Sequence, residues 1–158
     1  MPSTTVDIVN ETEEMKKCAQ RFVLSPRQWV TYTQSHTWRN EKLERARATQ
    51  IPESPGIYTL ILQPGIAGHP LCSYLMYVGQ TISLRRRFRE YLGMERRVDR
   101  RPKVSYFLNK YNGYACFCYT LVAAATLTNV ENGLTAAYLP PLNEDYEGII
   151  STAMRAFS

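Results

Sequence analysis

Two short apolar runs, GIYTLIL starting at Gly56 and SYLMYVG ending at Gly79, constrain this chain more than any other feature. Both are rich in β-branched and aromatic residues, too short for stable helices, and bounded by glycine and proline, which is the signature of buried strands. The intervening QPGIAGHP is a loop of turn-forming residues, so the runs pair as an antiparallel hairpin with a long connection. Each strand then carries one tyrosine beside a glycine, Tyr58 on the first and Tyr77 on the second.

Downstream, QTISLRRRFREYLG reads as a helix. Ser83 can cap it, Leu84, Phe88, Tyr91 and Leu92 share an apolar stripe, and Gly93 can stop it. Arg87 and Tyr91, four apart, lie on one face. MERRVDRRPK reads as a charged loop, VSYFLNKYNG as a short helix ended by Asn112 and Gly113, and YACFCYTLVA as a third strand. LTNVENGLTAAYL has helical periodicity, the prolines of PPLNED end it, and EGIISTAMRAF packs back as a last helix.

Upstream, EEMKKCAQRFVL and SPRQWVTY read as two short helices, the second with serine and proline at its start. SHTWRNEKLERARATQ continues as helix until IPESPG breaks it. The expected organisation is a helical extension over 1–50 and a compact α+β unit over 51–158, a small three-stranded antiparallel sheet flanked by helices.

A chain of 158 residues suits one such domain. No apolar run is long enough for a membrane span, and the polar, acidic start is unlike a secretory signal, so a cytoplasmic location without membrane attachment is expected. Cys18, Cys72, Cys116 and Cys118, with His36 and His69, lack paired zinc-ligand spacing and read as reduced thiols. The net charge of +5 is concentrated: from Leu84 to Lys103 there are nine cations (Arg85, Arg86, Arg87, Arg89, Arg96, Arg97, Arg100, Arg101, Lys103) against three anions. One basic segment on an otherwise balanced chain is either a solvated face or a footprint for a polyanion such as a nucleic-acid backbone.

Gly56-Ile57-Tyr58, Tyr77-Val78-Gly79, Arg87 ten residues after Tyr77, Glu131, and Asn143 within PPLN form an ordered set that resembles the GIY-YIG nuclease family over residues 52–147. The resemblance implies a three-stranded antiparallel sheet flanked by helices and hydrolysis of a nucleic-acid phosphodiester with one divalent metal, Mg²⁺ or Mn²⁺. It assigns Tyr58 and Tyr77 as the paired tyrosines, Arg87 as the helix arginine, Tyr91 as the residue four later that is His or Tyr, Glu131 as metal ligand and Asn143 as the polar residue closing the site. The second corner is YVG, and the loop between the corners is longer and richer in proline and glycine than in the shortest members.

The chemistry suits these residue types. A hard carboxylate such as Glu131 fits Mg²⁺, which keeps several waters and takes phosphate oxygens. A phenol is a poor base at neutral pH, so Tyr58 activates water only if positive charge from Arg87 and a metal lowers its pKa, and otherwise orients it. Tyr77 is expected to hydrogen-bond the scissile phosphate or the nucleophile. Arg87 stabilises phosphoryl charge, with Arg85 and Arg86 blurring which arginine faces the site. Those two, with Arg89, Arg96, Arg97, Arg100, Arg101 and Lys103, hold the nucleic-acid backbone.

A DNA endonuclease is the leading expectation, of restriction, repair or antiphage/mobile-element type, with RNA not excluded as substrate. A homodimer is compatible, since cutting both strands needs two sites. The alternatives are a non-catalytic nucleic-acid-binding module that keeps the fold, or a protein-interaction domain whose basic loop meets an acidic partner.

Overall fold

The computed structural model describes residues 35–64, 73–94 and 101–143. The expected helices over 13–24, 25–32 and 147–157 lie outside them. Within them, four strands, β1 (Arg39–Lys42), β2 (Gly56–Leu62), β3 (Tyr74–Thr81) and β4 (Ala115–Leu121), form one sheet in the order β1-β4-β2-β3. Every neighbouring pair is antiparallel. The helices are α1 (Leu84–Met94), α2 (Pro102–Lys110) and α3 (Leu127–Tyr138).

The β2–β3 hairpin, the two helices after it, the β4 strand and α3 fall where the sequence places them. Gly113 sits at φ 84 in the turn into β4, a conformation natural to glycine. The main correction lies upstream. The helix expected over 35–50 is absent; Arg39–Lys42 is a strand paired with β4, followed by a single 3-10 turn at Arg45–Arg47. The sheet therefore has four strands rather than three, and it reaches across the expected boundary at residue 50. Pairing with the exposed edge of β4 prevails over the helix propensity of Glu, Lys and Arg.

Alternation along the strands sorts side chains onto two faces. Tyr58, Leu60, Tyr77, Phe117 and Tyr119 pack on one face with Leu84, Phe88 and Tyr91 from α1 and Val104, Phe107 and Leu108 from α2. Ile57 and Val78 point to the other, against Leu127 and Leu134 of α3. The start of α1 is tied down by backbone: the amides of Leu84 and Arg85 donate to the carbonyls of Ser54 and Pro52. Arg85 strengthens this tie, donating to the Ile51 carbonyl at 2.7 Å and pairing with Glu53 at 2.7 Å. Expected among the nucleic-acid contacts, Arg85 instead has its guanidinium bound within the chain.

β3 is an edge strand, and its outer side is covered by the segment that follows α3. Leu142 donates its amide to the Met76 carbonyl. Asn143 grips Val78 with both ends of its side-chain amide, Oδ1 accepting from the Val78 amide at 2.9 Å and Nδ2 donating to its carbonyl at 2.8 Å. The β2–β3 register shifts between Leu60 and Ile61, so that Leu60 faces Tyr77 and Ile61 faces Leu75, leaving Met76 as the extra residue of a bulge.

Candidate active site

A cleft of about 290 Å³ opens beside β3, lined by Tyr77 from the strand, Arg101, Lys103 and Val104 at the start of α2, Glu131, Asn132 and Thr135 on α3, and Leu142 and Asn143. Glu131 approaches from the α3 side of the sheet and the arginine from the α1 and α2 side. They meet where the sheet ends, past β3.

Behind the cleft lies a cluster of phenols. Tyr58 and Tyr91 are almost fully buried, at 1% and 0% exposure, and Tyr77 is 9% exposed. The hydroxyls of Tyr58 and Tyr91 are hydrogen-bonded at 2.9 Å. Tyr58 stacks on Phe117, with ring centroids 5.0 Å apart and planes at 10°. The register places Gly79 opposite Tyr58, and the Tyr58 ring passes over it: a Cβ on Gly79 would lie 2.5 Å from the Tyr58 hydroxyl oxygen and 2.7 Å from Tyr77 Cε1. The second glycine of the paired corners is thus the floor on which the first tyrosine lies.

Arg101 joins the phenols to the cleft. Its Nη1 donates to the Tyr77 hydroxyl at 2.9 Å and, more weakly, to the Tyr91 hydroxyl at 3.4 Å, while the guanidinium carbon sits 5.6 Å from the Tyr77 ring centroid. Sequence reasoning placed Arg101 among backbone-holding cations; the structure puts it inside the cluster. The only signal was its position just before Pro102, the proline in the first turn of α2.

Arg87 is held at the cluster's rim. Its Nη1 pairs with Glu90 at 2.8 Å, and its Nε is buried without a hydrogen-bond partner. Arg86 is exposed and pairs loosely with Glu90 at 3.6 Å, and Arg89 is exposed on the same helix. Arg96, Arg97 and Arg100 lie outside the described residues.

Burial dominates the proton chemistry. It pushes the Tyr58 phenol well above its ordinary range, with Tyr91 adding to the rise and Arg87 and Arg101 pulling against it without prevailing. Burial likewise raises Tyr77, and it pushes Tyr91 up to about 12. Within the protein alone Tyr58 is therefore held as a neutral phenol, because the charges of Arg87 and Arg101 do not outweigh its burial. Burial also raises the Glu131 carboxyl, while hydrogen bonds from the side chain and backbone of Gln80, then Arg101 and Arg87, favour its charged form. Gln80, the residue after the YVG corner, was not picked out from sequence; it also donates to the Thr128 hydroxyl at 3.2 Å.

Among the described residues no group of three or more His, Cys, Asp or Glu side chains gathers. Glu131 in the cleft, beside Asn132 and Asn143, supplies one half-buried carboxylate in a polar surround. This fits an ion that takes one protein carboxylate and fills its other positions with water and phosphate oxygens, and it does not fit a closed protein cage.

Fold and cleft together define a small α+β domain in which a phenol cluster, two arginines and a carboxylate meet at the edge of an antiparallel sheet. No family model matches the sequence, and no curated protein matches it. Among solved structures, the chain is similar to the GIY-YIG N-terminal endonuclease domain of UvrC from Thermotoga maritima. A tyrosine-to-phenylalanine mutant of that domain bound to the catalytic divalent cation is 17% identical, with 64% of this chain and 94% of that chain covered and a TM-score of 0.44. The magnesium-bound form is 18% identical, with 63% and 94% covered and a TM-score of 0.42.

Proposed function

We propose that this chain is a metal-dependent endonuclease that hydrolyses phosphodiester bonds of DNA. The observation that carries the reading is the convergence of Tyr77, Arg101, Glu131 and Asn143, drawn from separate elements, on one cleft backed by Tyr58, Tyr91 and Arg87. These residue types match the needs of phosphodiester hydrolysis: cations for the phosphoryl oxygens, hydroxyls to place water, and a hard carboxylate.

In this reading Glu131 holds Mg²⁺ or Mn²⁺, which when bound lowers the pKa of a coordinated water and offsets charge on the phosphate. Tyr77, the phenol that lines the cleft, hydrogen-bonds the phosphate or the attacking water. Tyr58 and Tyr91, one layer behind, fix the position of the cluster as neutral phenols. Arg87 and Arg101 stabilise the negative charge that gathers on the phosphoryl oxygens. Asn143 acts through the backbone, clamping Val78 and so aiming Tyr77 next to it. Lys103, Arg86 and Arg89, with Arg96, Arg97 and Arg100, hold the strand on either side. The working unit spans 51–158, assisted by β1, and acts in the cytoplasm, alone or as a homodimer.

The test is cleavage of supercoiled plasmid and labelled oligonucleotides with Mg²⁺, comparing wild type with Glu131→Ala, each verified as folded. The expected result is metal-dependent cutting by wild type and its loss, by at least about a hundredfold, in Glu131→Ala with DNA binding retained. Clean wild type that cuts neither DNA nor RNA yet binds both in a salt-sensitive way would refute the enzyme and leave a binding module.

A further inference from the structure

We infer that the exposed face of α2 is a track for an unpaired strand of the substrate, with the Tyr106 ring as a stacking platform between two phosphate contacts, Lys103 and Lys110. The inference rests on the nuclease reading and deepens it: the DNA brought to the cleft carries a single-stranded arm, an overhang or a flap.

Helix geometry sets the face. Val104, Ser105, Phe107 and Leu108 are buried and turn one side of α2 to the core. Lys103, Tyr106 and Lys110, at i, i+3 and i+7, share the exposed side. Lys103 also lines the cleft with Arg101 and Glu131, so the stripe begins at the candidate site and leads away from it. At 1.5 Å per residue, Tyr106 stands about 4.5 Å and Lys110 about 10 Å beyond Lys103 along the helix. About three stacked nucleotides, at about 3.4 Å each, cover that distance. A strand leaving the cleft at Lys103 would bring a base over Tyr106 and a phosphate to Lys110. Lys110 Nζ lies 5.8 Å from the Tyr106 ring centroid, so cation and ring form one contact point.

Two observations favour an unpaired strand over a duplex or a protein. Tyr106 is 60% exposed, so most of its ring is given to the surface and not to the core. A flat ring in that position is matched by the flat face of a base, which is open only where the base is not stacked inside a duplex. The phosphates of a duplex would need the lysines alone. The second observation is charge. Between Asp99 and Glu131 the sequence carries no carboxylate, so α2 adds only positive charge to this face. On α1, by contrast, Glu90 pairs with both Arg86 and Arg87. An acidic protein would meet the same lysines but would not need the ring between them.

The test is binding, read by fluorescence anisotropy with Ca²⁺ in place of Mg²⁺, for wild type, Tyr106→Ala and Tyr106→Phe, each verified as folded. The probes are a labelled blunt duplex and the same duplex extended by a 5′ or a 3′ oligothymidine overhang. Wild type is expected to bind one of the extended forms about tenfold more tightly than the blunt one, the scale of stacking one base on an aromatic ring. Tyr106→Ala should lose that gain while its affinity for the blunt duplex changes less than about twofold, and Tyr106→Phe should keep it. Lys110→Gln should lower the salt slope for the extended form by about one. An overhang that brings no gain, or a Tyr106→Ala loss that is equal on both probes, overturns the track. So does labelled polyglutamate that wild type binds as tightly as oligothymidine, which would mark a surface for acidic proteins.

Cleavage with Mg²⁺ separates this inference from the reading beneath it. Cutting by wild type without an overhang gain refutes the track and leaves the nuclease. An overhang gain that depends on Tyr106, in a protein that cuts nothing, refutes the nuclease and leaves a face that binds single strands.

Discussion

Gly79 gives the sharpest prediction available from a single residue. With a Cβ set 2.5 Å from the Tyr58 oxygen and 2.7 Å from Tyr77, Gly79→Ala must push both rings aside. Overpacking of this kind costs about 1–3 kcal/mol, readable as a lower urea midpoint, and cleavage should fall at least about tenfold because the cluster moves as a unit. Tyr91 predicts a pH dependence. An unfolded phenol titrates near 10, while burial holds the folded Tyr91 near 12. The folded state retains a proton that the unfolded state has lost, so stability is intact below about pH 10 and declines as pH rises toward 12. Tyr91→Phe should show a shallower decline over that window in denaturant titrations. At this scale part of the candidate site was legible: the two tyrosine corners, Arg87, Tyr91, Glu131 and Asn143 were picked out through the family resemblance, and the structure brings Tyr77, Glu131 and Asn143 to one cleft. Arg101 was legible only as charge, because nothing local in a run of arginines says which one the fold turns inward.

Among the elements, β3 depends on a partner that is not a strand. Removing the Asn143 amide leaves the Val78 amide and carbonyl without their 2.9 and 2.8 Å partners, and an unmade bond of this kind costs about 1–3 kcal/mol. Asn143→Ala should therefore speed hydrogen exchange at the Val78 amide selectively, while Asn143→Asp, which keeps the acceptor, should protect it in part. The hairpin, α1, α2, β4 and α3 could be read from apolar periodicity because each buries a face. β1 could not. RNEK buries little and has no apolar alternation; its conformation is imposed by the backbone groups of β4 rather than by its own side chains. A charged edge strand of this kind also resists pairing with other chains.

For the molecule as a whole, DNA binding should weaken steeply with salt, and Lys103→Gln should reduce the log–log salt slope by about one, without changing sequence preference. Filter binding across a salt series decides it. The cleft is assembled from distant parts of the chain. Because its residues are drawn from both sides of the sheet, from Tyr58 through to Asn143, no local segment carries a working fragment of it. Its contacts are of high contact order and close only after the long loops between them have been drawn in. In the proposed nuclease a partly folded chain, during synthesis or after heat damage, would therefore hold no reactive centre, and the capacity to cut the cell's own DNA would arise only with the finished domain.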